Sequence, residues 1–181
     1  MSVSEGWNGM IRCTGALLLF FACCGMGFWK SRQCTGRVHQ LKELIKMGYF
    51  LKGEISFART TLPEALGQMG EKVEFPFSEF VRILSERMKK YSGENFSHTL
   101  RAVMEEKLKD TYLETVDLEE FYSAACNLGY LDKEMQIHIL DRYLKEQAQK
   151  VEMLTVQMPK QQKLFRSLGI LGGAFFVILF W

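Results

Sequence analysis

The side chains that most often carry out chemistry in proteins are scattered along this sequence. Its three histidines, His39, His98 and His138, lie far apart and on charged or polar stretches. The sequence contains no H-E-x-x-H metal motif, no nucleophile elbow and no G-x-x-x-x-G-K-[ST] phosphate loop. The segment 67–72 resembles a fragment of a phosphate loop, but its spacing is wrong and no strand precedes it. We therefore expect no metal ion and no cofactor.

Cysteines and paired acids give no better candidate for a site. Cys13, Cys23, Cys24, Cys34 and Cys126 include no CxxC pair, which argues against a zinc site or a disulfide framework and fits a domain facing a reducing compartment. The pairs at 105–106 and 119–120 are adjacent glutamates, so on a helix their carboxylates diverge and are solvated. The sequence predicts that the protein is not an enzyme. The net charge of +2, without a basic stripe, predicts no nucleic-acid partner.

The elements that would position any site are predicted to be helices throughout. The three prolines lie at element boundaries, Leu, Met, Glu and Lys are frequent, and alternating β-branched runs are absent. Mean hydropathy is near zero only because two apolar ends flank a charged middle. We expect an all-α fold: an antiparallel bundle of about six helices between two transmembrane helices.

The first apolar end predicts a membrane anchor over residues 1–32. Residues 13–29 carry no charge, Arg12 precedes them, and Trp7 and Trp29 suit the two interfacial belts. Two rival interpretations are a cleaved signal peptide and a lipoprotein signal around Cys23. The apolar run is long for a signal peptide, and no A-x-A cleavage site follows it.

The second apolar end predicts another anchor over residues 160–181. Residues 168–181 are uncharged, and the last seven place apolar side chains on every face of a helix. Basic residues flank both anchors on the side of the middle domain, residues 33–159: Lys30, Arg32, Arg37, Lys42, Lys160, Lys163 and Arg166. The positive-inside rule therefore predicts a two-pass protein of the cell membrane with its bundle in the cytosol.

Six helices are predicted in the middle domain from apolar spacings of three and four. Their approximate ranges are 38–58, 61–70, 75–91, 97–109, 117–128 and 132–158. Thr60 or Thr61 can cap the second, with Pro63 and Glu64 in its first turn. Gly48 lies on the apolar face of the first and either permits close helix packing or is tolerated there. Asp117 and Glu120 form a capping-box-like start of the fifth. Pro159 is expected to end the sixth helix or to kink it.

The last predicted helix carries a heptad seam that only one polar residue interrupts. Its members are Ile137, Leu140, Leu144, Gln147, Val151, Leu154 and Met158. The seam either packs onto the bundle core or, in its distal half, pairs with a partner.

Four stretches of the sequence carry a resemblance to a known family: 54–66, 93–100, 128–136 and 167–173. In order, they resemble the stage III sporulation protein AB family of endospore-forming bacteria. One departure is the pair Tyr130-Leu131, where the family has a single small residue. Candidate family-motif residues are Glu54, Arg59, Leu62, Pro63, Glu64, Leu66, Gly129 and Asp132.

The resemblance implies a function that composition and spacing do not reach. The family is similar to the helical domain of the F-type platform proteins of type II secretion and type IV pilus systems. It implies a platform in the mother-cell membrane facing the forespore, within a channel complex that contains a secretion-type ATPase and ring-forming proteins. The alternative is a platform or adaptor subunit of a general secretion or pilus machine. A homo-oligomer is left open.

Glycines in the tail anchor are candidates for helix packing. Gly169, Gly172 and Gly173 would form a small-residue groove on a helix. The first anchor offers small residues of its own at Gly15, Ala22, Gly25 and Gly27. The two anchors pack on each other through these positions, or two copies of the tail do, or the glycines are incidental.

Overall fold

Every regular element that the structure describes is an α-helix, which confirms the predicted all-α class. The structure, a computed structural model, describes residues 3–57, 61–90, 95–126, 128 and 132–180. The elements are α1 (Val3–Phe57), α2 (Leu62–Met69), α3 (Phe77–Lys90), α4 (Phe96–Lys107), α5 (Thr115–Ala125) and α6 (Lys133–Phe180). Within the described ranges, no helical stretch combines the length and the apolar character that crossing a membrane requires.

The first and last helices differ from the prediction because each is continuous with its apolar end. α1 runs unbroken from Val3 to Phe57, although Gly36 lies at the boundary between the two units, because one glycine costs only about 1 kcal/mol in a helix. α6 contains Pro159 in its interior and continues to Phe180. The helix therefore does not end at Pro159, which was one of the two outcomes expected there. The described helices number six in total, because the ends do not form helices of their own.

The chain divides into two compact units. Unit 1 comprises Met1–Gly36 with Leu154–Trp181, and unit 2 comprises Arg37–Met153. In unit 1 the side chain of Gln162 donates to Thr35 Oγ1 at 2.9 Å, which joins α6 to α1. Large apolar side chains of the same unit are exposed: Met26, Trp29, Leu164, Leu168, Ile170 and Leu171.

Unit 2 is a bundle in which several helix pairs are antiparallel. The chain positions that touch between α1 and α6 are 48 with 144, 52 with 141, and 56 with 133. Those between α2 and α3 are 63 with 85 and 70 with 81. Between α5 and α6 they are 117 with 150 and 121 with 143. In each pair of helices, residue numbers rise along one helix as those of the contacting residues fall along the other, so the two helices are antiparallel.

The core of unit 2 contains the predicted apolar stripes. Phe80 and Phe121 meet edge to face with ring centroids 6.1 Å apart. Leu140, Leu144 and Val151 of the α6 seam are buried, so this part of the seam packs within the bundle, as the first interpretation predicted. Buried residues on the other helices include Leu41, Leu44, Leu51, Leu66, Met69, Phe77, Val81, Leu84, Leu100, Val103 and Met104.

Candidate functional site

A fully buried carboxylate lies where three helices of unit 2 meet. Asp117, in the first turn of α5, accepts two hydrogen bonds from Arg37 of α1: Nε to Oδ2 at 2.8 Å and Nη2 to Oδ1 at 3.0 Å. Lys150 Nζ of α6 donates to Oδ1 at 3.1 Å, and the backbone N–H of Glu114 donates to Oδ2 at 3.0 Å. This ionic network therefore ties α1, α5 and α6 together.

The groups of the network stay ionised because their hydrogen bonds and ion pairs shift their pKa values more than burial does. Burial raises the pKa of Asp117, but the bonds from Arg37, Glu114 and Lys150 lower it more, so the pKa lies below its usual value. Burial likewise lowers the pKa of Lys150, and its bonds to Glu120 and Asp117 raise it further than burial lowers it. The pKa of Arg37 is raised in the same way. All three groups are ionised at neutral pH.

A second layer of polar groups surrounds this centre. Glu120 accepts from Lys150 and, at 2.7 Å, from Gln147 Nε2, and Glu114 accepts from Arg37. Tyr143 Oη and Gln147 Oε1 are buried without a hydrogen-bond partner among the described residues. Burial raises the pKa of Tyr143. Each of the three carboxylates is bound to at least one cation, which suits a structural joint.

The sequence reasoning missed this joint because it assigned its members other roles. Asp117 was predicted to begin the fifth helix, but α5 begins at Thr115, and the Asp117 carboxylate points back to bind Arg37 and the N–H of Glu114. The sequence places Arg37 only among the basic residues that flank the first apolar end. Gln147 was the feature of the sequence that indicated a buried polar joint, because a polar residue in an apolar seam needs a buried polar partner.

The side chains of α1 also fix two loops at one end of unit 2. Gln40 Oε1 accepts from the backbone N–H of Tyr112 at 2.7 Å, and Glu43 Oε2 accepts from that of Glu74 at 3.0 Å. We call this the apical end: residues 37–43 of α1, the loops 70–76 and 108–114, the first turn of α5, and 150–153 of α6. The chain enters and leaves unit 2 at the apical end.

Several candidate family-motif residues build the start of α2. Thr61 is the N-cap, Pro63 lies in the first turn, and the Glu64 carboxylate accepts from the backbone N–H of Thr61 at 3.1 Å. This bond lowers the pKa of Glu64. Leu66 is buried, and the Pro63 carbonyl accepts from Ser85 Oγ at 2.6 Å. Leu62 is half-buried. These residues therefore shape a helix start and its packing against α3, as the predicted cap required.

The first and third family stretches meet at the other end of unit 2. We call this the basal end; it comprises the ends of α1 and α3 and the starts of α2, α4 and α6. Asp132 Oδ1 accepts from the backbone N–H of Met135 at 2.9 Å, and Lys133 Nζ donates to the Ser56 carbonyl at 2.6 Å. Glu54 is half-buried on α1. Arg59 and Gly129 lie outside the described residues.

The candidate helix-packing glycines all lie in α6. A Cβ atom at Gly172 would meet no atom within 4 Å, and the same holds at Gly15 and Gly25 of α1. The surroundings of Gly169 and Gly173 lie outside what the structure describes. A packing role for these two positions stays a prediction.

The residues with metal or nucleophile chemistry stay apart. His39, His98 and His138 are exposed, and Cys34 and Cys126 form no disulfide among the described residues. Among the described residues, no three His, Cys, Asp or Glu side chains are grouped so that they would hold a metal ion.

Comparison with known proteins gives one finding. No curated protein and no solved structure matches the chain. The profile of the stage III sporulation protein AB family matches residues 12–181, and its description names a stage of sporulation and no reaction. Because this match spans nearly the whole sequence, the chain belongs to the stage III sporulation protein AB family.

Proposed function

We propose that the protein is a non-enzymatic, two-pass membrane platform in the mother cell–forespore channel complex required for endospore formation. The observation that carries the proposal is the family match over residues 12–181. The structure supports it with a helical bundle whose buried charges are joined to one another, an arrangement suited to holding a shape.

Membrane anchoring is supported by the two uncharged runs and by exposed apolar side chains in unit 1. Residues 13–29 and 168–181 carry no charge, and Trp29, Leu168 and Leu171 are exposed. Apolar surface left in water costs about 25 cal/mol per Å², whereas a bilayer would cover it. Lys160 and Lys163 precede the second run and fit the cytosolic side.

The basal end is the proposed docking surface for channel partners, including a secretion-type ATPase. Phe57 at the end of α1 is 93% exposed, and Met135 at the start of α6 is also exposed. Exposed aromatic and methionine side chains are enriched at protein interfaces. Within unit 2, this end lies opposite Arg37 and Met153, the first and last residues of the unit.

Sporulation itself tests the docking surface. A strain that carries Phe57→Ser with Met135→Ser should form few heat-resistant spores and lose the cross-link to its ATPase partner, with normal protein abundance. Tyr49→Ser, an exposed aromatic on the side of the bundle, is the matched control and should sporulate normally. Normal sporulation of the double variant contradicts the basal surface. A secretion or pilus defect during growth would favour the general machine instead.

Thiol labelling tests the topology. In a variant that retains only the partly exposed Cys126, a membrane-impermeant thiol reagent should label permeabilised cells and leave intact cells unlabelled. The control places the single cysteine at Ser2, which should be labelled in intact cells. Labelling of Cys126 from outside contradicts a cytosolic bundle.

A further inference from the structure

Two polar atoms in the core of unit 2 lack a hydrogen-bond partner among the described residues. They are Tyr143 Oη and Gln147 Oε1, in residues that are 5% and 1% exposed. Buried polar atoms are nearly always hydrogen-bonded, because an unpaired donor or acceptor has lost its bonds to bulk water and has gained nothing in return. These two atoms therefore require a partner other than a described side chain.

The two atoms lie on one side of α6. Residues 143 and 147 are four positions apart, so their side chains share one face of the helix. That face is turned towards α5, because the ring centroids of Tyr143 and Phe121 are 6.4 Å apart and Gln147 Nε2 donates to Glu120 Oε2 at 2.7 Å. Burial raises the pKa of the Tyr143 hydroxyl most, and the negative charges of Glu120 and Asp117 raise it further. The hydroxyl is therefore neutral and lies near both acids.

The orientation of the Gln147 amide is fixed by Glu120. If the amide were turned over, its oxygen would face the Glu120 carboxylate, and two acceptors would then oppose each other. Nε2 therefore faces Glu120, and Oε1 remains as an acceptor that needs a donor. The Tyr143 hydroxyl has a proton to donate, but it does not bond directly to Oε1. A small molecule that both accepts and donates can join the two atoms.

A water molecule suits the two atoms better than a cation does. Water accepts from the hydroxyl and donates to the amide oxygen at the same time, and a buried water typically makes about three hydrogen bonds. A metal ion would lie beside Lys150 Nζ, which already binds the carboxylates of Glu120 and Asp117. Repulsion between the two positive charges disfavours that arrangement.

We propose that Tyr143 Oη and Gln147 Oε1 bind one internal water molecule between α5 and α6. The hydroxyl donates to the water, and the water donates to the amide oxygen. The water extends the polar joint of Arg37, Asp117 and Lys150 into the apolar seam of α6, which gives a reason for a glutamine at position 147. This inference concerns the core of unit 2 and does not depend on the proposed platform function.

Water relaxation tests for the bound molecule on the full chain in detergent. Oxygen-17 magnetic relaxation dispersion detects internal waters that exchange with bulk water more slowly than the protein tumbles. Tyr143→Phe or Gln147→Met should each lower the dispersion amplitude by about one water molecule, because a water with a single remaining partner is not held. The double variant should lower it no further. Tyr49→Phe and Gln149→Met remove an exposed hydroxyl and an exposed amide, and these matched controls should leave the amplitude unchanged.

Unfolding equilibria give a second measurement. Each single variant should raise the unfolding equilibrium constant by about three- to tenfold, as expected for the loss of a buried hydrogen-bonded group. The double variant should raise it by less than the product of the two single changes, since the first substitution already releases the shared water. The bond from Gln147 to Glu120 is lost in both the single and the double variant, so it cancels from this comparison.

The two measurements can each overturn the proposal. Equal dispersion amplitudes in the natural chain and both single variants would mean that no water depends on either atom. A double variant that loses two waters would mean that each atom binds its own, and single effects that multiply in the double variant would mean that the atoms share nothing. Circular dichroism verifies that each variant keeps its helices. If Gln147→Met does not fold, the comparison of Tyr143→Phe with Tyr49→Phe decides, because each loses only a hydroxyl.

Discussion

Arg37 and Asp117 lie eighty positions apart in the sequence, and in the structure they form a two-point ion pair with bonds of 2.8 and 3.0 Å. Arg37 is the first residue of unit 2, and Asp117 lies in the first turn of α5. Lys150, near the last residue of unit 2, shares the same carboxylate. One buried acid thus joins the two helices by which the chain enters and leaves the bundle.

Removal of this acid should destabilise the fold. Asp117→Asn leaves the partly buried Arg37 with only Glu114, and Lys150 with only Glu120, as a counter-charge. We expect a loss of about 2–4 kcal/mol, below the range for a wholly buried pair because both cations reach water. Chemical denaturation of the full chain in detergent, followed by circular dichroism, measures it. Glu119→Gln, which removes the exposed pair with Arg101, is the control and should lower the free energy of unfolding far less. Equal losses in the two variants would contradict a central role for Asp117.

The same carboxylate should make stability depend on acid pH. The folded-state pKa of Asp117 lies below its unfolded value of about 3.9, so its contribution is fully present above that value. The contribution is lost as the pH falls through the folded-state pKa, because the unfolded chain binds the proton first. Free energies of unfolding measured from neutral pH into the acid range should therefore fall less steeply for Asp117→Asn than for the natural chain. Parallel curves for the two chains would refute this linkage.

Two glycines of α1 should respond in opposite ways to an added side chain. A Cβ at Gly48 would lie 2.8 Å from Leu144 Cδ2, whereas a Cβ at Gly53 would meet nothing within 4 Å. We expect Gly53→Ala to stabilise the fold by roughly 0.5–1 kcal/mol through helix propensity. Gly48→Val should destabilise it by about 1–3 kcal/mol, since the added atoms overlap the buried Leu144. Thermal denaturation of both variants measures these changes. A Gly48→Val chain as stable as the natural chain would show that α1 and α6 do not pack closely there.

Truncation of a core side chain should destabilise the fold, whereas truncation of an exposed side chain should not. Leu84 is 1% exposed on α3, and Leu84→Ala should cost about 2–5 kcal/mol and lower the abundance of the protein in cells. Phe75→Ala removes a larger but exposed side chain and should change stability by no more than about 0.5 kcal/mol. Immunoblots and denaturation curves give both quantities. A stable Leu84→Ala chain would place Leu84 outside the core.

Close packing of the tail anchor is tested by cross-linking. If Gly169 and Gly173 form a groove for another membrane helix, Gly169→Leu and Gly173→Leu should reduce cross-links between anchors without preventing insertion, since leucine is more apolar than glycine. Gly172→Leu is the comparison, because space at Gly172 is open in the structure. Unchanged yields in the first two variants would mean that the glycines are incidental.

The local sequence determined the helices and most of the core. Apolar spacings of three and four placed Leu41, Leu44, Phe80, Leu84 and Leu144 inside, and Thr61 with Pro63 and Glu64 marked the start of α2. These features follow from interactions within a few residues, so the pattern alone is sufficient to find them. The family resemblance, carried by short stretches of sequence, was found in the same way, and the match over residues 12–181 confirms it.

Only the tertiary structure decided which polar residues become partners. Nothing near Arg37 in the sequence indicates that it binds an acid eighty positions away. Asp117 does belong to a capping box, whose N-cap is Glu114, but its charged partners come from α1 and α6. The continuity of α1 and α6 was likewise undecided, since one glycine or one proline can end a helix or remain inside it. Ion pairs across a bundle depend on how helices are placed, and spacing along one chain does not encode that placement.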